Sequence, residues 1–393
     1  MAEADTSNSR FAIVKESSIG VNPGTGAKYM RGTSFSGQEK QNRTTSAEVN
    51  GNRNPRENVR TSANPEVSVD FEFSPNNLDN ILEGAMMSAA FAAAPSLLTG
   101  NIQAVAAGPS FTTSGTPSLA GIAKGQWFQT STFTNAANNG WFRAAAASTS
   151  TSVTVEAGSG IVDEASASRK LQVSSLITIG TTRVSFSAEK QFPDVSVFEQ
   201  FNGLVIDQLS MRFSDEQIIT GSINFMGTNS VAAATSTGMG TVAAAGTELI
   251  AAAVDTLRGL KEGSLGADAT HKLTELSLQI SNKARVKRQI TALNPFDIGI
   301  GVAEITLQAT LYLRDKSVID KFRNNTVTPF SWRIIGRSAT DPSYVFTVPQ
   351  GRITVLDDPI PGNSQDAYQN VTIVAETDAN NIGFQIDKII AIP

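Results

Sequence analysis

The 393 residues include no cysteine and a single histidine. Without cysteine there are no disulfides, no thiolate metal site and no thiol nucleophile, so nothing calls for an oxidising compartment. One histidine cannot build the usual multi-histidine metal cage. His271 lies in the polar run GADATHKLTE and reads as a surface residue. Charge is also scarce, at 17% Asp, Glu, Lys and Arg against roughly 25% in ordinary soluble domains. Such a surface suits a chain partly covered by neighbouring subunits. The net charge is −5 with both signs scattered, which leaves no basic stripe to grip phosphates. No apolar run reaches the length of a membrane span, and the acidic start MAEADTSNSR does not read as a signal peptide. A soluble chain without a membrane anchor is expected. The carboxylates alternate along strands or sit in turns such as Asp357-Asp358, and no group of residues forms an acid–base pair. An enzyme is not expected, nor any cofactor or metal.

What the chain does have is a plan stated twice. In VSVDFEFSPNNLDNILEG, Val67, Val69, Phe71 and Phe73 alternate with polar residues, the period of a strand buried on one face. A short helix should follow, with Ser74 as N-cap, Leu78 and Leu82 on one side and Gly84 as stop. Adding 240 to each number gives Leu307, Ala309, Leu311 and Leu313, then Val318 and Phe322, while Asn54-Pro55 becomes Asn294-Pro295. A second match, VFEQFNGLVID with VFTVPQGRITV, has an offset of 148 and pairs Gly203 with Gly351. The two offsets differ by 92, so the first copy should carry that many extra residues between Gly84 and Val197.

The expected fold is mainly β: two tandem sandwich or barrel units with short helices, and a small all-β module inserted in the first. Residues 1–28 read as an arm that orders against something else. Residues 29–94 and 176–230 form the first unit, 95–175 the insertion, 231–269 a low-complexity linker and 270–393 the second unit. Within the insertion, Asn139-Gly140 signals a hairpin and Trp127 and Trp141 should fill the core. Within the linker, Glu248 to Leu260 could be helical. The polar stretch before Val67 reads as a long loop, which in a compact domain usually has a function. Its counterpart ALNPFDIGIG should be packed.

The order of these features resembles the tail tube proteins of long-tailed bacteriophages. The likeness is carried by SSIGVNPGTG, VDFEFSPNNLDNILEGA, FNGLVIDQLSMRFSDEQIITGSINFMG, LTELSLQISNK and ITLQATLYLRDKSVIDKF, and GQWFQTSTFTNAANNGWFRAAAA resembles a β insertion of some members. The resemblance implies sheets that join side by side around a channel, in rings that stack into the tube through which DNA leaves the capsid. Members with one copy per chain form hexamers, so two copies per chain imply trimers. It also implies a place in the virion tail, with synthesis and assembly in the host bacterial cytoplasm. The implied partners are a tape measure protein inside the tube, tail terminator and tail tip proteins at its ends, and double-stranded DNA in passage. If Val69, Phe71, Leu209, Met211, Ile223, Leu311 and Leu313 point into the sandwich, then Asp70, Glu72, Gln208, Ser210, Arg212, Thr220, Ser222, Gln308 and Thr310 face the channel. The Asn50 to Ala63 loop, with Asn50, Asn52, Arg53, Asn54, Arg56, Glu57 and Arg60, becomes the contact between rings. The insertion should decorate the outside and be dispensable. The alternative is a carbohydrate-binding or adhesion protein of a virion or cell surface, using the tryptophans as its binding face.

Overall fold

The computed structural model describes residues 3–49, 51, 53–54, 56–88, 90–91, 97–338, 340–360 and 362–390. The chain opens with β1 (Arg10–Lys15), β2 (Lys28–Tyr29), β3 (Gly32–Thr45), β4 (Asn58–Glu72) and helix α1 (Asp79–Ala85). A run of shorter strands follows: β5 (Leu98–Val105), β6 (Ser110–Thr113), β7 (Trp127–Ser131), β8 (Gly140–Arg143), β9 (Ser152–Thr154), β10 (Glu164–Val173) and β11 (Ser175–Thr178). Next are β12 (Phe186–Phe192), β13 (Val197–Ser214), β14 (Thr220–Met226) and β15 (Asn229–Ala234), then α2 (Ala253–Thr256) and β16 (Leu257–Glu262). The last part holds β17 (Leu273–Ser281), β18 (Arg285–Lys287), β19 (Asp297–Gly299), β20 (Glu304–Tyr312), α3 (Ser317–Arg323), β21 (Phe330–Ile334), β22 (Pro342–Val348), β23 (Gln350–Asp357), β24 (Tyr368–Glu376) and β25 (Gln385–Ile390).

The hydrogen-bonded order repeats. A four-stranded sheet β3-β4-β14-β13 has its counterpart in β17-β20-β24-β23, and β1-β12-β13-β15 has its counterpart in β16-β21-β22-β25. Even the irregularities correspond. The β3–β4 ladder bulges at Thr33 and the β17–β20 ladder at Thr274, and the bulge at Asp207 in β13 is matched by one at Thr354 in β23. In the first set β13 serves both layers, changing sheets at Gly203, where φ is +65° and a Cβ would lie 2.0 Å from Thr228 Oγ1. Only glycine fits there. In the second set the same passage is split between β22 and β23, with Pro349 between them, because proline has no N–H to continue a ladder.

The two larger sheets are not separate. β13 pairs antiparallel with β17 from Gln208↔Ser281 to Ser214↔Glu275, so eight strands run β3-β4-β14-β13-β17-β20-β24-β23. Among the described residues no sheet closes into a barrel. One row across the inner face reads Phe71, Gly221, Met211, Leu278, Leu307, Ile373 and Ile353. All its apolar side chains are buried, Phe71 to 1% exposure and Leu307 likewise. Gly221 belongs in this row because a Cβ there would stand 2.4 Å from the Phe71 ring. Opposite lie Trp332, Phe346 and Ile386 of the five-stranded sheet and Phe384 just before β25, in one continuous core. Burying each such side chain is worth about 1.5–3 kcal/mol.

Several expectations change. Leu313 does not enter the core; it follows the last residue of β20 and is 43% exposed. Ser74 does not cap α1 but accepts from Asn77 Nδ2 at 3.0 Å, and the helix ends at Ala85 rather than at Gly84. The apolar patch of the N-terminal arm is β1, paired along its length with β12 of the same chain. In the low-complexity stretch, Glu248 to Leu260 contains only the one-turn α2 before β16, because pairing with β21 overrides helical preference. His271 is buried, not surface-exposed: Nδ1 lies 2.7 Å from Glu262 Oε2 and Nε2 3.1 Å from Ser317 Oγ. Burial alone would raise the Glu262 carboxyl, but Lys321 Nζ at 2.6 Å and His271 hold it below its usual range. This clasp ties β16 to α3.

The strands β5 to β10 form their own six-stranded sheet around Phe111, Phe128, Phe133 and Phe142. The tryptophans are not in that core. Trp127 packs instead on Val345 and Ile389 of β22 and β25, with Trp141 beside it and the Arg333 guanidinium 4.6 Å over the Trp141 ring. The hairpin expected at Asn139-Gly140 is present, β7 pairing antiparallel with β8, though not through a two-residue turn. Residues 132–139 connect β7 to β8, and the Asn139 side chain bonds the Phe133 backbone on both sides.

Candidate functional site

The outward face of the eight-stranded sheet is polar from β3 across to β20, with Val374 and the exposed Val355 breaking the pattern near the β23 edge, and its rows follow from the register. One reads Ser34, Asp70, Ser222, Ser210, Gln279, Thr306, and the next Glu72, Thr220, Arg212, Ser277, Gln308, Thr372. Flanking rows carry Ser68, Asn224, Gln208 and Ser281 on one side and Glu275, Thr310, Asn370 and Asp357 on the other. All nine residues singled out from the sequence therefore share this face. Sequence reasoning missed Ser34, Glu275, Ser277, Gln279, Thr306, Asn370 and Thr372. The signal was present in LTELSLQI, where Leu276, Leu278 and Ile280 alternate with Glu275, Ser277 and Gln279.

Polar side chains on this face bond one another across strands, as pairs on a sheet do. Ser210 and Ser222 hydroxyls lie 2.8 Å apart, and Thr310 Oγ1 donates to Asn370 Oδ1 at 2.9 Å. Arg212 is neutralised by Glu275, Nε to Oε1 2.7 Å, across the β13–β17 seam. Asp70 and Glu72 add negative charge, so the central rows lean acidic.

The sheet ends on two open edges. β3 pairs with β4 and β23 with β24, and neither has a strand on its other side among the described residues. Glu39 on β3 sits below its usual carboxyl range, chiefly through the Ser230 hydroxyl it accepts.

The polar loop is shorter than the sequence suggests. Residues 58–63 belong to β4 and pair with Gln41–Thr45 of β3, a ribbon with polar residues on both faces and hence no core-facing alternation to read. Arg60 lies in this ladder, 3.6 Å from Glu39. Arg53, Asn54, Arg56 and Glu57 are in the connecting tip, with Arg56 Nε 3.7 Å from Glu48 and the Glu57 carbonyl accepting from Ser46 N at 3.0 Å. Asn50 and Asn52 lie outside the described residues. The equivalent hairpin β18–β19 is packed only at its root by Ile298; Ile290 and Phe296 at its tip are exposed. A single apolar stretch thus divides between root and tip.

The sequence profile of the phage tail tube protein family matches residues 6–376. The chain belongs to that family. No curated protein matches it with significance. As a member of a structural virion family, a self-assembling tail component, it presents this sheet within the tail of the particle. No helix among the described residues is long and apolar enough to cross a membrane.

In this tail tube protein the β5–β10 sheet is fixed to β22 and β25 by a buried polar cluster. Asp387 accepts from Trp127 N at 3.1 Å and Ser174 Oγ at 2.6 Å, and also from Gln385, whose Nε2 donates to the Gly125 carbonyl at 2.8 Å. Trp127 Nε1 donates to Thr347 Oγ1 at 2.9 Å. Complete burial pushes the Asp387 carboxyl up from 3.8 to about 6 against these hydrogen bonds. Between about pH 4 and 6 the folded chain keeps a proton that the unfolded chain has released, so stability falls as pH rises through that window and is level above it. Asp387→Asn should abolish this slope in urea melts. An unchanged slope would place the titration elsewhere.

Proposed function

We propose that this chain is the major tail tube subunit, that three copies close into a ring with six-panel geometry, and that rings stack into the conduit for DNA ejection. The carrying observation is the β13–β17 seam, which joins two equivalent panels edge to edge with a single polar, acid-leaning face. The panels are residues 29–94 with 176–230, and 270–393, with β1 added to the first and β16 to the second; the rest of 231–269 connects them. The polar face lines the channel. Double-stranded DNA carries one negative charge per about 1.7 Å of axis, so an uncharged or acidic wall lets it slide where a basic one would hold it. The insertion, at 95–175, sits on the smaller sheet, across the core from the polar face, which favours an outer position. A tape measure protein would occupy the channel during assembly, and terminator and tip proteins would close its ends. The protein acts as a wall and not as an enzyme.

Negative-stain microscopy of the purified protein should show hollow filaments with threefold rings; isolated globules at every concentration would refute the proposal. In particles, Asp70→Lys with Glu72→Lys should leave tubes intact and slow DNA release, because two cations per chain then line the path. Ejection at the normal rate would move these residues off the channel.

A further inference from the structure

The internal seam is a template for the seam between chains. It joins the last strand of one panel, β13, to the first strand of the next, β17. The strands that correspond to them are β23 and β3, and these are the two left open. The matched bulges fix the correspondence residue by residue. Asp207 and Thr354 differ by 147, and Thr33 and Thr274 by 241. The ladder Gln208↔Ser281, Leu209↔Ile280, Ser210↔Gln279 therefore converts to Val355↔Lys40, Leu356↔Glu39, Asp357↔Gln38.

We infer that β23 of one chain pairs antiparallel with β3 of a second copy in this register, with Asp357 opposite Gln38. The inference rests on the ring reading above and adds the partner strand and its alignment. Two observations favour it independently. Continued beyond Asp357, the register sets Ile360, 97% exposed, against Phe35, as the internal seam sets Phe213 against Leu276. In addition, Phe73 is covered edge-on by Tyr344 of the following panel, at 5.5 Å between ring centroids, whereas its counterpart Leu313 is open. A following chain supplies that cover. Pro359, which has no N–H, limits the hydrogen-bonded ladder to its neighbourhood and guards the edge against casual strand addition.

The absence of cysteine makes the test direct. Paired residues on adjacent strands stand about 4.5–5.5 Å apart at Cα, within disulfide reach, whereas positions four residues out of step are too distant. The full-length double variant Gln38→Cys/Asp357→Cys, oxidised after assembly, should give covalent dimers and a closed covalent trimer on non-reducing gels. Lys40→Cys/Val355→Cys should do the same and guards against failure of the first variant. Ser34→Cys/Asp357→Cys should stay monomeric. Ser210→Cys/Gln279→Cys, the internal counterpart, should close within one chain and calibrates the yield. If tubes form but only the Ser34 pair cross-links, or none of the intermolecular pairs does, the register is wrong while the tube reading stands. If no rings or tubes form from the unmodified protein, the tube reading fails and the inference with it.

Discussion

Replacing Trp332 by alanine should cost about 3–5 kcal/mol of stability, the largest loss expected from any single side chain here. The indole is wholly buried, stacks on Phe346 at 5.3 Å with planes 8° apart, and meets Phe213 edge-on at 5.9 Å. It thus bridges the smaller sheet of the second panel to β13 of the first, and its loss opens a cavity between layers that strands cannot easily collapse to fill. Its Nε1 has no hydrogen-bond partner among the described residues, so the N–H gains nothing from burial. Trp332→Phe, which keeps most of the ring and removes the unpaired donor, should therefore change stability by less than about 1 kcal/mol. Urea midpoints of both variants check this. Equal losses would mean that the ring Phe retains contributes nothing at this site, and would overturn the stacking argument.

The other large effect concerns the tip at residues 46–57. Replacing 47–56 with Asn-Gly should leave rings but abolish stacks, read by microscopy and sedimentation. The β3–β4 ribbon overshoots the sheet along the strand direction and is stiff at its root, where Ala63 N donates to the Leu293 carbonyl at 3.1 Å and Arg288 reaches Asn64. In a closed wall of tilted strands, a ribbon leaving the sheet end-on points to the next ring, not to the lumen. Among the described residues of its tip, Val49 is almost fully exposed. Full-length tubes from the deletion variant would end this assignment.

The strict alternations could be read correctly from the sequence, because a strand wet on one face writes its orientation into every second residue. Val67 to Phe73 and Leu209 to Phe213 are such cases, and both the repeat and the polar face follow from them. What could not be read depends on partners distant in sequence. His271 looks wet among Asp268, Thr270 and Lys272 and is buried only because Glu262 and Ser317 close on it. Leu257 and Leu260, three apart, suggest a helix, yet they lie in β16, whose ladder is bulged between Arg258 and Lys261. The distal ribbon of β3 and β4 has no buried face and so no pattern. The insertion reads as self-contained, but Trp127 and Asp387 cement it to β22 and β25. Its removal would uncover Val345 and Ile389.

The seam between β13 and β17 also bears on how such a wall starts. In a hexagon of free panels six bodies must meet; in the proposed ring half of the joints are the β13–β17 seams within single chains, at an effective concentration that dilution cannot lower. Nucleation of the proposed three-chain ring would depend on the third power of protein concentration and not the sixth, which would let tubes initiate while the monomer pool is still thin.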